Sequence, residues 1–156
     1  AAAGIGKATL YDYFKTKEEV MVDFFKREVH AIAARAAEIA RQELPATEKL
    51  RRIVLMHLEY WLPRKAFYLR LTIEAQRLSV QSQEQIQAAR HDYQDMLGHL
   101  IEDGIREGAF RPVDSLLATR LLLNMVTPVA FATRPTGSPQ QMMEEALGIF
   151  FRGIEA

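Results

Sequence analysis

The sequence predicts an all-α protein. From residue 16 onward, apolar side chains recur every three or four residues over stretches long enough for helices with one buried face. Proline, glycine or short polar runs separate these stretches, and none of them alternates apolar and polar residues as a half-buried strand would. The chain has 156 residues and is 49% hydrophobic, which is enough for one compact domain with a sizeable core.

The first half of the chain divides into three predicted helices. A long helix covers residues 16–44 and ends before Pro45. Thr47 is expected to cap the second helix, which Pro63 closes, and a shorter third helix follows. The polar run 79–87 is expected to form the join to the next helix.

Three further helices are predicted in the second half. Helical spacing resumes at Ile86 and continues to Gly108, where the helix should stop. Residues 114–134 are apolar nearly all round and contain Pro128, which should kink the helix. A helix apolar on all sides must be covered twice, once by the core and once, we expect, by a partner subunit. The final helix, residues 140–154, also has a wide apolar face.

Composition and charge exclude several classes of protein. The longest apolar run without a charge, residues 121–133, is too short to span a bilayer, and no signal peptide is recognised, so we expect a soluble cytoplasmic protein. The absence of cysteine rules out disulfides and thiolate chemistry. The 20 basic residues balance 20 acidic ones, so charge alone does not indicate a nucleic-acid binder.

The most informative motif is at the beginning of the chain. Gly4 supplies a turn, Leu10 and Phe14 lie four apart on one face of a short helix, and Thr16 and Glu19 form a capping-box signature before an apolar run. This order of turn, short helix and capped long helix is typical of the second half of a DNA-binding helix-turn-helix.

A phosphate-binding loop does not account for the same residues. That pattern requires glycine where Ala1 stands and serine or threonine where Ala8 follows Lys7, and no strand precedes the segment. The glycines are better explained as turn residues.

The segment Gly4 to Glu19 resembles the recognition helix of TetR-family transcriptional regulators, whose pattern is Gly, a branched residue, Ser or Gly, Lys, a small pair, and then Leu-Tyr-x-Tyr-Phe-x-x-Lys-Glu. Residues 101–112 are similar to the end of that family's seventh helix and the turn that follows. The resemblance implies that residues 1–17 are the remnant of a helix-turn-helix DNA-binding domain. Residues 18–156 would then be a TetR-like ligand-binding and dimerisation domain of about six helices. It also implies that the first helix and most of the second helix of the DNA-binding domain precede Ala1.

The resemblance assigns the predicted DNA contacts by motif position. Side chains at the start of the recognition helix would face base edges, and later ones would contact the phosphate backbone. The base-facing residues are Lys7, Ala8 and Thr9, and the backbone-contacting residues are Tyr11, Lys15 and Lys17.

A ligand cavity is predicted between the helices, because the Pro128 kink should widen the space beside them. Its polar groups would be His57, Glu74 and Asn124, although a core histidine, a salt bridge to Arg70 or Arg77, and an intersubunit hydrogen bond remain open for these three respectively. The full predicted set is His57, Trp61, Phe67, Glu74, Tyr93, Met96, Asn124 and Met125. Such a lining suits a small hydrophobic or aromatic effector. No cofactor or metal is expected, because the four histidines are scattered without ligand spacing.

A homodimer is predicted through the last two long apolar segments, which carry more apolar surface than one core covers. The predicted interface residues are Leu117, Leu121, Met143, Leu147, Phe150 and Phe151.

The function implied by the resemblance is that of a ligand-responsive repressor that binds operator DNA as a dimer and leaves it when an effector binds. A helical ligand-binding or structural dimer without a DNA function is the alternative. An enzyme is not expected, because Gly-x-Ser-x-Gly, His-Glu-x-x-His and cysteine are all missing from the sequence.

Overall fold

The computed structural model describes residues 16–156, and this part of the chain is helical, which confirms the predicted all-α class. The first four α-helices are α1 (Lys17–Ala40), α2 (Ala46–Trp61), α3 (Lys65–Ala75) and α4 (Val80–Arg106), with a 3-10 turn, Leu62–Arg64, between α2 and α3. The remaining three are α5 (Ser115–Asn124), α6 (Val126–Ala130) and α7 (Pro139–Ile154). None of the helices described is long and apolar enough to cross a membrane.

The starts of α1 and α2 use different kinds of cap. The Thr16 hydroxyl accepts a hydrogen bond from the backbone N–H of Glu19 at 3.1 Å, so the predicted cap of α1 is confirmed. The expected cap at Thr47 is wrong. The carbonyl of Pro45 accepts from the N–H groups of Glu48 and Lys49 instead, and the helix begins at Ala46 without a side-chain cap.

The polar run 79–87 is not a join, as the sequence had suggested, but mostly the first two turns of α4. Ser79 is the N-cap, and its hydroxyl accepts from the N–H of Ser82 at 3.3 Å. The run is polar because these turns face solvent, and only Ser82 and Ile86 within it are buried.

Pro128 breaks the long apolar segment more completely than a kink would. Because proline has no N–H, it cannot bond the carbonyl four residues earlier, which belongs to Asn124, and α5 ends there. The five-residue helix α6 carries Pro128 and ends at Ala130, so the single predicted helix 114–134 is two helices.

The main core lies where α2, α4, α5 and α7 meet. Its fully buried side chains include Leu50, Ile53, Leu97, Leu122 and Met143. A separate small core joins α1 to the beginning of α4. It buries Val22, Phe25 and Ile86, against which Met21, Leu71, Ala75 and Leu78 pack.

Two glycines shape the last turn of α4 and the chain turn that follows it. Gly108 has a φ of +76°, which glycine adopts without strain. At Gly104 a Cβ atom would lie 2.4 Å from ring atoms of Phe110, so the phenyl ring occupies the space that a side chain would need. Phe110 in turn stacks on Phe151 of α7 with ring centroids 6.2 Å apart. The predicted stop at Gly108 is therefore confirmed.

Candidate ligand site

A buried polar pair marks the centre of the candidate site. The hydroxyl oxygen of Tyr93 on α4 lies 2.7 Å from Nε2 of His57 on α2, and both side chains are buried. Burial lowers the pKa of His57 to about 4, since the charged imidazolium would lose its hydration, and burial also raises the pKa of Tyr93. Both groups are therefore neutral at pH 7. Sequence reasoning had left open whether His57 contacts a ligand or is a satisfied core histidine, and its bond to Tyr93 satisfies one ring nitrogen.

Trp61 continues this pair into a cluster of rings. Its indole lies 6.1 Å from the ring of His57, 5.4 Å from Tyr68 and 6.4 Å from Phe131. We call His57, Trp61, Tyr68, Tyr93 and Phe131 the aromatic cluster. The Nε1–H group of Trp61 is buried and has no hydrogen-bond partner among residues 16–156. A buried donor without a partner is unfavourable, and a ligand oxygen would relieve it.

Glu28 of α1 ties the edge of this cluster to two other helices. Its carboxylate accepts a hydrogen bond from the Tyr60 hydroxyl at 2.9 Å and another from the Tyr68 hydroxyl. Burial and then the adjacent carboxylate raise the pKa of Tyr68. The site's polar edge therefore includes Glu28 and Tyr68, which the sequence analysis did not identify, because they are 40 residues apart and nothing in either helix pattern pairs them.

Two arginines stand beside this edge. The guanidinium carbon of Arg64 lies 4.7 Å from the centre of the Tyr60 ring, and that of Arg35 lies 5.2 Å from the same centre. Both residues are exposed, so their charges remain available to an anion outside the cluster.

Helix α3 covers the cluster loosely. It contains no buried residue, and Phe67, Leu69 and Ile73 expose about half of their surface. Phe67 lies on this outer side, 5.4 Å from the ring of Phe24 and 6.0 Å from Tyr68, and does not line an internal cavity.

Two of the predicted polar cavity residues lie elsewhere. Glu74 is partly exposed and pairs with Arg77 at 3.3 Å and with Lys17 at 3.8 Å, which corresponds to the salt-bridge alternative. Asn124 is exposed, and its amide donates to the carbonyl of Arg120 at 2.8 Å on the helix surface. Leu121, on the same side of α5, is also exposed, so this side of the helix faces outward. The assignment of Asn124 to an internal ligand site is therefore wrong.

In the predicted cavity region, the rings of His57, Trp61 and Tyr93 lie beside one another. Met96 and Met125 are half-buried against the main core beside the aromatic cluster, which is packed ring against ring. Two cavities formed by the described residues lie away from this cluster. One is a groove of about 290 Å³ between α1 and α4, and the other is a shallow hollow at the start of α7. A ligand that inserts between these rings would displace side chains of the cluster or move α3, which covers it loosely.

The predicted dimer residues divide into two groups. Met143, Leu147 and Phe151 are buried inside the protomer core, so their assignment to an exposed interface is wrong. They repeat every four residues on the side of α7 that faces the core. Leu117 and Leu121 expose 54% and 55% of their surface, and Phe150 is half-buried. Ile149, which sequence analysis did not select, is 63% exposed on α7.

The predicted DNA contacts fall mostly outside the described residues. Lys7, Ala8, Thr9, Tyr11 and Lys15 precede residue 16. Lys17, the first residue of α1, is described; its side chain is 83% exposed and forms a long ion pair with Glu74.

The described residues form an all-α body, and it follows a segment whose sequence resembles the recognition helix of a helix-turn-helix regulator. Residues 43–154 match the family described as "Tetracyclin repressor-like, C-terminal domain". The "Uncharacterized HTH-type transcriptional regulator YhgD" of Bacillus subtilis (strain 168) is 30% identical over 132 residues, covering 83% of this chain and 68% of that protein. The chain therefore belongs to the TetR family of transcriptional regulators, and it spans about two thirds of the length of this relative.

Solved structures agree with this assignment. The TetR family transcriptional regulator PfmR from Thermus thermophilus is 26% identical with a TM-score of 0.76, and the match covers 98% of this chain and 85% of that one. FadR from Bacillus subtilis, solved in complex with stearoyl-CoA, is 19% identical with a TM-score of 0.83, and the match covers 97% of this chain and 84% of that one. The second likeness shows the fold alone.

Proposed function

We propose that this transcriptional regulator is a repressor that binds a palindromic operator as a homodimer and is released by an effector bound at the aromatic cluster. The observation that carries the proposal is that α1, which Thr16 caps, follows the motif at residues 4–15 directly in the sequence. Helix α1 also supplies Glu28 to the edge of the cluster. One continuous helix therefore links the DNA-reading segment to the candidate ligand site.

The chemistry of the cluster favours an effector with an apolar acyl or aromatic group and an anionic carrier. The rings offer an apolar surface, and the buried N–H of Trp61, which has no partner among residues 16–156, offers one donor to a carbonyl oxygen. Arg35 and Arg64 stand at the exposed edge, where they suit a carboxylate or phosphate. A coenzyme A thioester of a hydrophobic acid combines these features, and the solved FadR complex contains stearoyl-CoA.

The DNA part of the proposal is tested by selecting operator duplexes with the intact protein from a random pool and measuring affinity against salt. Changing Lys15 or Lys17 to Ala should weaken binding to all sequences alike and reduce the salt slope by about one for each lysine–phosphate pair removed. Changing Lys7 or Thr9 should instead alter which sequences are preferred. Recovery of no preferred sequence would favour a helical ligand-binding dimer without a DNA function.

The effector part is tested with stearoyl-CoA, using stearate and free coenzyme A as matched controls. Trp61 is the only tryptophan, so its fluorescence reports on the cluster directly. We expect stearoyl-CoA to change this fluorescence, raise the melting temperature and release the selected operator. If stearoyl-CoA and both controls leave the fluorescence and the operator affinity unchanged, the proposed effector class is wrong, while the DNA-binding part stands separately.

A further inference from the structure

The carboxylate of Glu18 ties the first turn of α1 to the first turn of α4. It accepts three hydrogen bonds: from the Ser79 N–H at 3.1 Å, from the Ser79 hydroxyl at 2.6 Å and from the Ser82 hydroxyl at 2.7 Å. The two serine hydroxyls and then the Ser79 N–H lower the pKa of Glu18, so the carboxylate is charged at neutral pH. Charge-assisted hydrogen bonds of this length are directional, and three of them fix the carboxylate relative to α4.

This contact lies where the DNA-reading segment joins the helical body. Glu18 is the second residue of α1, two residues after the Thr16 cap and three after the segment 4–15. Ser79 is the N-cap of α4. Further along the two helices, the small core of Val22, Phe25 and Ile86 packs α1 against α4. The Lys26 ammonium also donates a hydrogen bond to the Gln85 side chain at 3.2 Å.

The elements that meet at this contact also reach the aromatic cluster. Helix α4 carries Tyr93, and α1 carries Glu28. Helix α3 contributes Tyr68 to the cluster near its beginning, while Leu71 and Ala75, nearer its end, pack on the small core. A ligand that displaces α3 at the cluster therefore moves the segment leading directly into Ser79.

From these contacts we propose that Glu18 is a positioning residue, which couples the orientation of the DNA-reading segment to the junction between α3 and α4. The inference rests on the proposed function, since it assumes that the segment reads operator DNA and that an effector acts at the cluster. Glu18 contacts neither ligand nor DNA in this role. It transmits a displacement of Ser79 and Ser82 to the first turn of α1. Without the charged contact this turn would be joined to α4 only through the small core and the Lys26–Gln85 hydrogen bond further along.

The test uses Glu18→Gln in the intact protein, with Asp23→Asn as the matched control. Asp23 also lies on α1, but its carboxylate pairs within the helix with Arg27 at 2.6 Å. Both variants remove one negative charge from the same helix. The readout is the ratio of operator affinities without and with stearoyl-CoA, which is about 5- to 150-fold for typical allosteric coupling. We expect the ratio to fall toward one in Glu18→Gln and to remain at the wild-type value in Asp23→Asn.

A second measurement does not depend on any effector. Operator binding should slow hydrogen exchange at the backbone amides of Ser82 and Gln83 in the wild-type protein, because coupling between two sites acts in both directions. Glu18→Gln should lose this operator-dependent protection. Ser79→Ala combined with Ser82→Ala should weaken it as well, and adding Glu18→Gln to that pair should have a smaller effect than in the wild-type background, since only the Ser79 backbone N–H still donates to residue 18.

The outcomes separate this inference from the function on which it rests. If wild-type operator affinity does not respond to stearoyl-CoA, the proposed effector fails, and the exchange measurement alone decides the role of Glu18. If Glu18→Gln keeps both the wild-type affinity ratio and the operator-dependent protection, Glu18 is not a coupling residue. A lower melting temperature with an unchanged ratio and unchanged protection would show a structural role only and would also overturn the proposal.

Discussion

The hydroxyl oxygen of Tyr93 and Nε2 of His57 form a hydrogen bond of 2.7 Å between α4 and α2, in the buried region below Trp61. The two rings also stack, with centroids 5.4 Å apart. This pair joins the two helices that surround the candidate site with a polar contact in an otherwise apolar region. Its protonation and its removal therefore have measurable consequences for stability.

Acid should destabilise the protein partly through His57. The unfolded imidazole takes up a proton near pH 6.5, whereas the folded one does so only near pH 4, because burial lowers its pKa. Between these values the unfolded state binds more protons, so the free energy of unfolding falls as the pH falls, by about 3 kcal/mol over the whole window. Chemical denaturation at several pH values should show that His57→Gln has a shallower loss of stability between pH 6.5 and 4.

His91→Gln is the matched control for this experiment. His91 lies on α4 two residues from Tyr93, but its side chain is exposed. Its replacement should leave the pH dependence in this window close to that of the wild-type protein. If the free energy of unfolding changes with pH equally in the wild-type protein and in His57→Gln, the fold does not hold the buried imidazole neutral.

Removal of the Tyr93 hydroxyl should destabilise the protein through its partner. In Tyr93→Phe the ring and its packing stay, but Nε2 of His57 loses its hydrogen bond in a buried position, which costs about 1–3 kcal/mol. Denaturant unfolding measures this loss. In the His57→Gln background the same substitution should cost a different amount, because the two residues interact directly. Equal costs in both backgrounds would contradict the pairing.

The sequence predicted several helix starts and stops correctly, whereas it did not predict the contacts between helices. The all-α class, the cap at Thr16 and the stop at Gly108 depend on spacing and on a few residues with strong backbone preferences. The start of α2 was misplaced because the helix begins at Ala46, directly after Pro45, so Thr47 already lies inside the first turn. Threonine occurs both at the cap and inside a helix, so its presence alone does not place the helix start.

The candidate site and the surface of α7 show that helical spacing does not predict which helices pack together. Helical spacing identifies a face, but it does not say which helix covers that face. The wide apolar face of α7 combines a core side, with Met143 and Leu147, and an exposed position, Ile149. Only the packing of α2 and α6 against α7 distinguishes the two. Glu28 went unnoticed for the same reason, since a carboxylate on a helix surface resembles many others until Tyr60 and Tyr68 are brought to it.

A side chain at position 104, in the last turn of α4, should destabilise the protein. In Gly104→Ala the new Cβ would lie 2.4 Å from ring atoms of Phe110 and 3.1 Å from Cβ of Ala46. Phe110 is fully buried and stacked on Phe151, so the ring has little room to move. Overpacking of this kind costs about 1–3 kcal/mol, which thermal or denaturant unfolding will detect.

Gly153→Ala provides the comparison for that substitution. A Cβ at Gly153 would meet no described atom within 4 Å, and the residue lies in the last turn of α7. Alanine there should leave stability unchanged or raise it by about 0.5–1 kcal/mol, because glycine loses more conformational entropy in a helix. If the two alanine variants are equally stable, close packing between Gly104 and Phe110 is not a determinant of the turn.

Dimerisation should depend on the exposed face of α5. Leu117 and Leu121 lie four residues apart on this face and expose more than half of their surface, so they form an apolar strip along α5 that a partner subunit would cover. Leu121→Glu would place a charge in an apolar interface and should convert a dimer into a monomer, as measured by light scattering at micromolar concentration. Leu69→Glu is the matched control, since Leu69 is 50% exposed on α3 and lies outside the predicted interface. A wild-type monomer, or a Leu121→Glu variant that dimerises as well as Leu69→Glu does, would exclude this face as the interface.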